Sequence, residues 1–277
     1  MGVGYEGAAY LAGEPVLCTG VSVPRAIQFI ESSSGYGGRL STPIAEIGIG
    51  SPFTTDWDDY SGSINFDVHN LLISNQIKPW LFSRQTSKRI YFYPRLGSYQ
   101  NFEECYWTSI DLDAAPASQV SGSIAFVAID RDDYDVADNY IGDVRGREDW
   151  SFHTKDIIPY WKTTVSLSGA ASTYQIIDWK LSFSQDVQKI FLCKYNTDPI
   201  APTYVGIGVM TATLDITVAV LNTTLTILDT LATASITIDA NTLNLAELRL
   251  TTGTDDIEGN DSMEPVSLGY NIYQLVS

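Results

Sequence analysis

The chain has 277 residues, 44% of them hydrophobic, and carries 33 acidic against 16 basic side chains for a net charge of −17. That is enough apolar surface for a real core, as one large β domain or two ordinary domains. So acidic a chain is not built to grip nucleic acid through its phosphates, which takes clustered Lys and Arg, nor to settle on an anionic membrane.

The first residues, MGVGYEGAAYLAG, have no Lys or Arg ahead of an apolar core, so no signal peptide is expected there. No run of roughly 18 apolar residues suggests a membrane-spanning helix. Cys18, Cys105 and Cys193 are odd in number and widely spaced. They are expected as small core residues in a reducing compartment, without a disulfide framework or a zinc site.

The segment EPVLCTG (Glu14 to Gly20) opens the chain's β pattern, and VSVPRAIQFIES (Val21 to Ser32) follows. The turn-rich SSSGYGGRLSTP then leads to Gly48-Ile49-Gly50. From Ser61 to Asn70 the sequence SGSINFDVHN alternates strictly: Ile64, Phe66 and Val68 against Ser63, Asn65, Asp67 and His69. That is a strand with one buried and one wet face, with Asp67 and His69 on the wet side. Next comes a helix candidate, NLLISNQIKPWLF, with Asn70 as N-cap. Leu71, Leu72, Ile77, Trp80 and Leu81 form its apolar stripe, and Pro79 should kink or end it. Strands are expected at RIYFYP (Arg89 to Pro94), CYWTS (Cys105 to Ser109) and SGSIAFVA (Ser121 to Ala128). The charged stretch from Asp130 to Pro159 suits an exposed linker.

After the linker the same series returns. PYWKTTVSLSG answers EPVLCTG. YQIIDWKLSFSQ (Tyr174 to Gln185) lies over VSVPRAIQFIES, with Leu181 and Phe183 over Ile27 and Phe29. KYNTDPIAPTY is the second turn-rich segment, and Gly206-Ile207-Gly208 the second tripeptide. TATLDITVAV (Thr211 to Val220) alternates Leu214, Ile216 and Val218 with Thr213, Asp215 and Thr217. LNTTLTILDTLATA places Leu221, Leu225, Leu228 and Leu231 at helical spacing, although its threonines leave strand open. SITIDA, LRLTT and SLGYNIYQL then answer the last three strands. The preserved order points to an internal duplication. A mainly β chain is expected, with a first domain over 1–129, a linker over 130–158 and a second domain over 159–277, each domain a β-barrel or sandwich with a flanking helix.

Catalytic chemistry finds little support. Two histidines, His69 and His153, are few for a metal or acid–base centre, and His69 is expected at the surface. Without a His partner a Ser or Cys nucleophile is hard to activate. SGYGG lacks the Lys-Ser/Thr of a phosphate loop. The acidic clusters at Asp111 to Asp113, Asp130 to Asp138 and Asp255 to Asp261 lack calcium-loop spacing. Trp57, Trp80, Trp107, Trp150, Trp161 and Trp179 are scattered, which suits packing better than sugar stacking. No enzyme activity, metal or cofactor is expected.

Two strands joined by a long loop, then an alternating strand, a helix and further strands resemble the phage tail tube fold. The stretch Asp178 to Val220 carries the likeness most clearly, as a pattern and not as identity. The similarity is to the duplicated type, in which two domains per chain form trimeric, pseudo-hexameric rings around a DNA channel. It implies a non-enzymatic virion protein of a siphovirus-like tail, assembled in the host cytoplasm. Its partners would be further copies of itself, a tape measure protein, a tail terminator and distal tail proteins, with DNA passing through unbound. Asn65, Asp67, Asp215 and Thr217 would then line the channel. The loops Glu31 to Pro43 and Gln185 to Thr203 would reach the next ring, including Ser34, Gly35, Tyr36, Gly37, Gly38, Tyr195, Asn196, Asp198 and Pro199. A tail terminator or baseplate hub of the same fold, a carbohydrate-binding β-sandwich and a glycoside hydrolase are the alternatives.

Overall fold

A computed structural model describes residues 8–22, 25–30, 53–93, 99–134, 157–190, 204–220, 227–253 and 264–276. The first half contributes β1 (Ala8–Leu11), β2 (Glu14–Ser22), β3 (Arg25–Ile30), β4 (Phe53–Asp67), β5 (Lys88–Tyr93), β6 (Tyr99–Ala114) and β7 (Ser121–Val127). β1 turns into β2 through Ala12 and Gly13, both left-handed at φ 49 and 89, as a two-residue hairpin that follows the strand twist requires. All pairings are antiparallel, and they close on themselves in the order β1–β2–β4–β7–β6–β5–β1. This six-stranded barrel has no open edge within the ring. Its interior holds Phe66, Trp107, Ile124 and an aromatic cluster of Phe92, Phe102 and Phe126, with ring centroids 5.5–6.4 Å apart.

One helix, α1, runs over residues 70–82. It buries Leu72, Ile73, Ile77, Trp80 and Leu81. Pro79 does not end it. Instead Ile73–Ile77 forms a wider turn, in which Lys78 N–H bonds back to Ile73 O just ahead of the proline, which has no N–H to give. The cap differs from expectation. His69, not Asn70, is the N-cap, and its Nδ1 accepts from Leu72 N at 3.3 Å. Its Nε2 lies 2.9 Å from Pro15 O, and the ring is fully buried. The expected surface position of His69 is therefore wrong: β4 ends at Asp67, so the alternation that put residue 69 on the wet face no longer applies.

The second half comprises β9 (Thr163–Leu167), β10 (Gln175–Ile190), β11 (Tyr204–Val220), β12 (Thr230–Ile238), β13 (Asn241–Thr252) and β14 (Glu264–Val276). They pair as β9–β12–β13–β14–β11–β10. This is the first half's order, with β9 for β1, β10 for β2 and β3, β11 for β4, and β12, β13 and β14 for β5, β6 and β7. The last seam differs. β9 and β10 are bridged by side chains, Trp179 Nε1 to Thr163 Oγ1 at 3.2 Å and Tyr160 OH to Ile177 O. The second flanking helix is corrected in part. From Thr230 the candidate segment, including Leu231, is strand β12, and 221–226 lie outside the described residues. Its β-branched threonines favour the pleat.

Register sets the strands of the two halves side by side. Ile64 pairs with Ile124, and Leu214 with Tyr270, which agrees with SGSIAFVA over SLGYNIYQL. However, Val21 pairs with Ile64 as Leu181 pairs with Leu214. Val21, and not Ile27, is thus the counterpart of Leu181. The slip is six residues, an even number, so it leaves a two-residue hydrophobic period unchanged.

The halves form one sheet. β6 pairs with β10 from Ser109–Ala114 to Trp179–Ser184. α1 also meets the β12–β13 hairpin: Lys78 Nζ donates to Thr242 O at 3.0 Å, Asn241 Nδ2 to Asn70 Oδ1 at 3.2 Å, and Asn70 Nδ2 to Asp239. The bond from Asn70 holds the Asp239 carboxyl below the usual range. The expected linker is built in at both ends. Residues Asp130–Tyr134 form β8 on β6. Ile158 is buried between the end of β4 and the start of β7, its N–H bonding to Val68 O and its carbonyl accepting from Val120 N.

Candidate functional site

Eight strands lie side by side in the order β2, β4, β7, β6, β10, β11, β14, β13, and β6–β10 is the junction between halves. Cross-strand register sorts their side chains into rows. One row reads Val21, Ile64, Ile124, Ile110, Phe183, Ala212, Ile272, Leu248, and another Cys18, Phe66, Gly122, Leu112, Leu181, Leu214, Tyr270, Leu250. Both face the core. Two further rows alternate with them on the opposite face. One is Gly20, Asn65, Ser123, Asp111, Ser182, Thr213, Asn271, Arg249. The other runs from Asp67 through Ser121, Asp113, Lys180, Asp215 and Gly269 to Thr252.

On β4, β7, β6, β10, β11, β14 and β13 these two rows hold no large apolar side chain; Leu17, opposite Asp67 on β2, is the apolar member at the edge. The face is knitted by short hydrogen bonds: Ser121 Oγ to Asp113 Oδ2 at 2.9 Å and Ser123 Oγ to Asp111 Oδ2 at 3.1 Å. Ser184 and Thr211 meet at 2.7 Å beside them. Lys180 stands in register between Asp113 and Asp215. Arg249 lies over the Tyr273 ring at 5.1 Å. Four aspartates thus share the two rows with two basic side chains, so the face carries net negative charge.

The structure places Asn65, Asp67, Asp215 and Thr217 on this one face. Asn65 and Asp215 are exposed, Asp67 and Thr217 half-buried. Asp67 and Asp215 share a row, four strands and about 19 Å apart at ordinary strand spacing. By pairing, Asn65 is the counterpart of Asp215 and Asp67 that of Thr217. Counterparts therefore sit two residues out of row, a stagger of the kind that tilts strands in a closed barrel. Burial pushes the Asp67 carboxyl above its ordinary pKa.

Asp111, Asp113, Ser121 and Ser123 belong to the same face and were not singled out for it from sequence; the only hint is polar alternation in IDLDA and SGSIAF. The residues expected in inter-ring loops, Ser34, Gly35, Tyr36, Gly37, Gly38, Tyr195, Asn196, Asp198 and Pro199, lie outside the described residues. The start of the second loop is corrected: Gln185–Ile190 continue β10 as strand, paired with Tyr204–Met210 of β11.

No family model matches the sequence, and neither does any curated protein. Among solved structures, the chain is similar to Hcp1 from Flavobacterium johnsoniae, at 14% identity and a TM-score of 0.33, over 47% of this chain and 94% of that one. It is also similar to a chain of an extracellular contractile injection system, the PVC sheath–tube complex in its extended state. There the identity is 15% and the TM-score 0.34, over 48% of this chain and 90% of the other.

Proposed function

We propose that the chain is a structural, non-enzymatic subunit of a phage tail tube, and that the polar face lines the channel. The observation that carries this is the continuity of the two polar rows across β6–β10. Each half contributes four strands to one wall that is apolar behind and hydrophilic in front. A domain that only needed a core would not have to align its wet face with its neighbour's.

The junction inside the chain supplies a template for the junction between chains. β10 sits on the edge of β6. The corresponding edges, the side of β13 away from β14 beyond Leu250 and the side of β2 away from β4 at residues 19–22, carry no partner strand among the described residues. Such edges invite strand addition. Joining one copy's β13 to the next copy's β2 is a head-to-tail contact, which closes into a ring when the rotation permits. On this reading 1–129 and 159–277 are duplicated tube domains joined by 130–158, and three chains make a pseudo-hexameric ring. About 24 strands at ~4.8 Å spacing give a wall roughly 115 Å around and about 37 Å across its backbone, room enough for a DNA duplex.

Asn65, Asp67, Asp215 and Thr217, together with Asp111 and Asp113, then form a non-adhesive wall. Repulsion of phosphates reaches about 8 Å from the wall at physiological salt. Rings stack through the connections 31–43 and 191–203 into a virion tail, where a tape measure protein, a terminator and distal tail proteins are the further partners and the genome passes to the host. Mass measurement at rising protein concentration tests this. A discrete trimer, followed by multiples of it, is expected. A chain that stays monomeric at high concentration contradicts it.

A further inference from the structure

A cavity of about 720 Å³ opens at one rim of the polar face, where β4 ends and β7 begins. Asp67, Ser118, Gln119, Ser121, Pro159 and Trp161 line it. Its walls come from three stretches of chain tied to one another by backbone bonds. Val68 N donates to Val120 O at 2.9 Å, Val120 N to Ile158 O at 2.8 Å, Ile158 N to Val68 O at 3.0 Å and Tyr160 N to Ser118 O at 3.1 Å. The site is thus shaped before a ligand arrives, and its volume falls in the usual range for small-molecule sites, about 300–1,000 Å³.

The polar lining is rich in acceptors. The half-buried Asp67 carboxylate has no hydrogen-bond or ion-pair partner among the described residues. Ser121 gives its proton to Asp113 Oδ2 at 2.9 Å and Ser118 gives its own to Ala115 O at 2.6 Å, so both hydroxyls are left as acceptors toward a ligand. Among the lining side chains the remaining donors are the Gln119 amide and the Trp161 indole N–H. Nearby basic groups are engaged elsewhere. Lys162, next to Trp161 in the chain, pairs with Asp239 at 3.3 Å. Lys180, the basic member of the Asp67 row, stands three strands away, about 14 Å at ordinary strand spacing. Burial of the unpaired Asp67 carboxyl pushes its pKa up, a cost that a cation beside it offsets. Trp161 is 76% exposed, so its ring is open to a ligand. An anion would meet the carboxylate, and a neutral sugar would leave that charge unpaired.

We propose that this cavity binds a small alkylguanidinium cation, its head forked onto the Asp67 carboxylate and stacked on the Trp161 ring, its alkyl stem against Ile157 and Pro159. A guanidinium suits both contacts, because its planar fork matches a carboxylate and its face lies flat on an aromatic ring; an ammonium does neither as well. The apolar lining accepts the methylenes of the stem. All the lining belongs to one chain, so the inference goes beyond the tube reading and stands whether or not rings form.

The test is titration calorimetry of the full chain with n-butylguanidinium at about 0.15 M salt, where diffuse attraction is screened beyond roughly 8 Å. Saturable binding at one site per chain is expected. n-Butylurea, the neutral twin of the probe, is expected to bind at least about tenfold more weakly, and so is the probe to Asp67→Asn. Trp161→Ala is expected to lose about threefold. Asp215→Asn, which removes the same charge four strands away, is expected to bind as the wild type does. Thermal melts check that each variant is folded, and the n-butylurea comparison needs no variant. Absence of saturable binding, equal binding of n-butylurea, or equal losses in Asp67→Asn and Asp215→Asn overturns the site. n-Butylammonium binding as tightly as the probe overturns the guanidinium assignment. Binding of a capped Gly-Arg-Gly peptide but not of n-butylguanidinium overturns the small-molecule assignment. Absence of rings in the wild type bears on the tube reading alone.

Discussion

Gly122→Ala probes the packing that lets the polar wall lie flat on its core. Gly122 is the cross-strand partner of Phe66. A Cβ at Gly122 would stand 2.8 Å from two atoms of the Phe66 ring and 3.1 Å from Asp111 O. Four residues away on β7 the arrangement is mirrored, since a Cβ at Gly62 would stand 2.7 Å from Phe126. Phe66 is fully buried, and Asp111 O belongs to the backbone of a ladder strand, so neither has room to retreat. Overpacking of this kind costs about 1–3 kcal/mol. The entropy gained by replacing glycine returns roughly 0.4–1 kcal/mol. A net loss of about 1–2 kcal/mol is therefore expected, read as a lower urea midpoint with an unchanged slope. In a Phe66→Leu background the same change should be close to neutral, a coupling of about 1 kcal/mol or more. The second half shows the same logic by contrast: Leu268 stands in the Gly122 position opposite Ile216, where no aromatic ring needs space. A neutral or stabilising Gly122→Ala in the wild-type background would refute this packing.

His69→Ala should remove the helix cap, at roughly 0.5–2 kcal/mol, and strand the Pro15 carbonyl, at about 1–3 kcal/mol. His69→Asn, which can still cap, should lose less, and denaturant melts of the two variants separate these contributions. Asp67→Asn should stabilise the dispersed chain at pH 7. The raised pKa means that the folded chain holds this proton more tightly than the unfolded chain does. The stability it contributes is therefore present below the ordinary carboxylate pKa and is lost as pH rises from there through the raised value of the folded chain. Comparing wild type and variant at pH 7 and pH 3 should show the gain only at pH 7. Burial pushes the Cys18 thiol up to about 12 and raises Cys105 as well. Neither should react with iodoacetamide at pH 8 until the chain unfolds, which peptide mapping by mass spectrometry will show.

How much was legible in the sequence follows from which signals are local. The two-residue period of β4 and β11 is local, so Ile64, Phe66, Leu214 and Ile216 could be assigned to the core and Asn65, Asp67 and Asp215 to the wet face. Membership of the face by Asp111 and Asp113 was not legible, because it depends on β6 pairing with β10 from the other half. His69 misled because a period carries no mark of where a strand stops. The early strand aligns six residues out of register in the sequence because an even slip preserves alternation. Trp161 reads in the sequence as one more scattered tryptophan; it reaches the cavity rim because Ile158, threaded between Val68 and Val120, and Tyr160, bonded to Ser118 O, fix its segment.

Negative-stain imaging of the purified chain tests the central claim most directly. Rings with an open centre and apparent sixfold outline, stacking into tubes of constant bore, are the predicted result. Compact particles without a central hole at every concentration would contradict a channel lined by the eight-strand polar face.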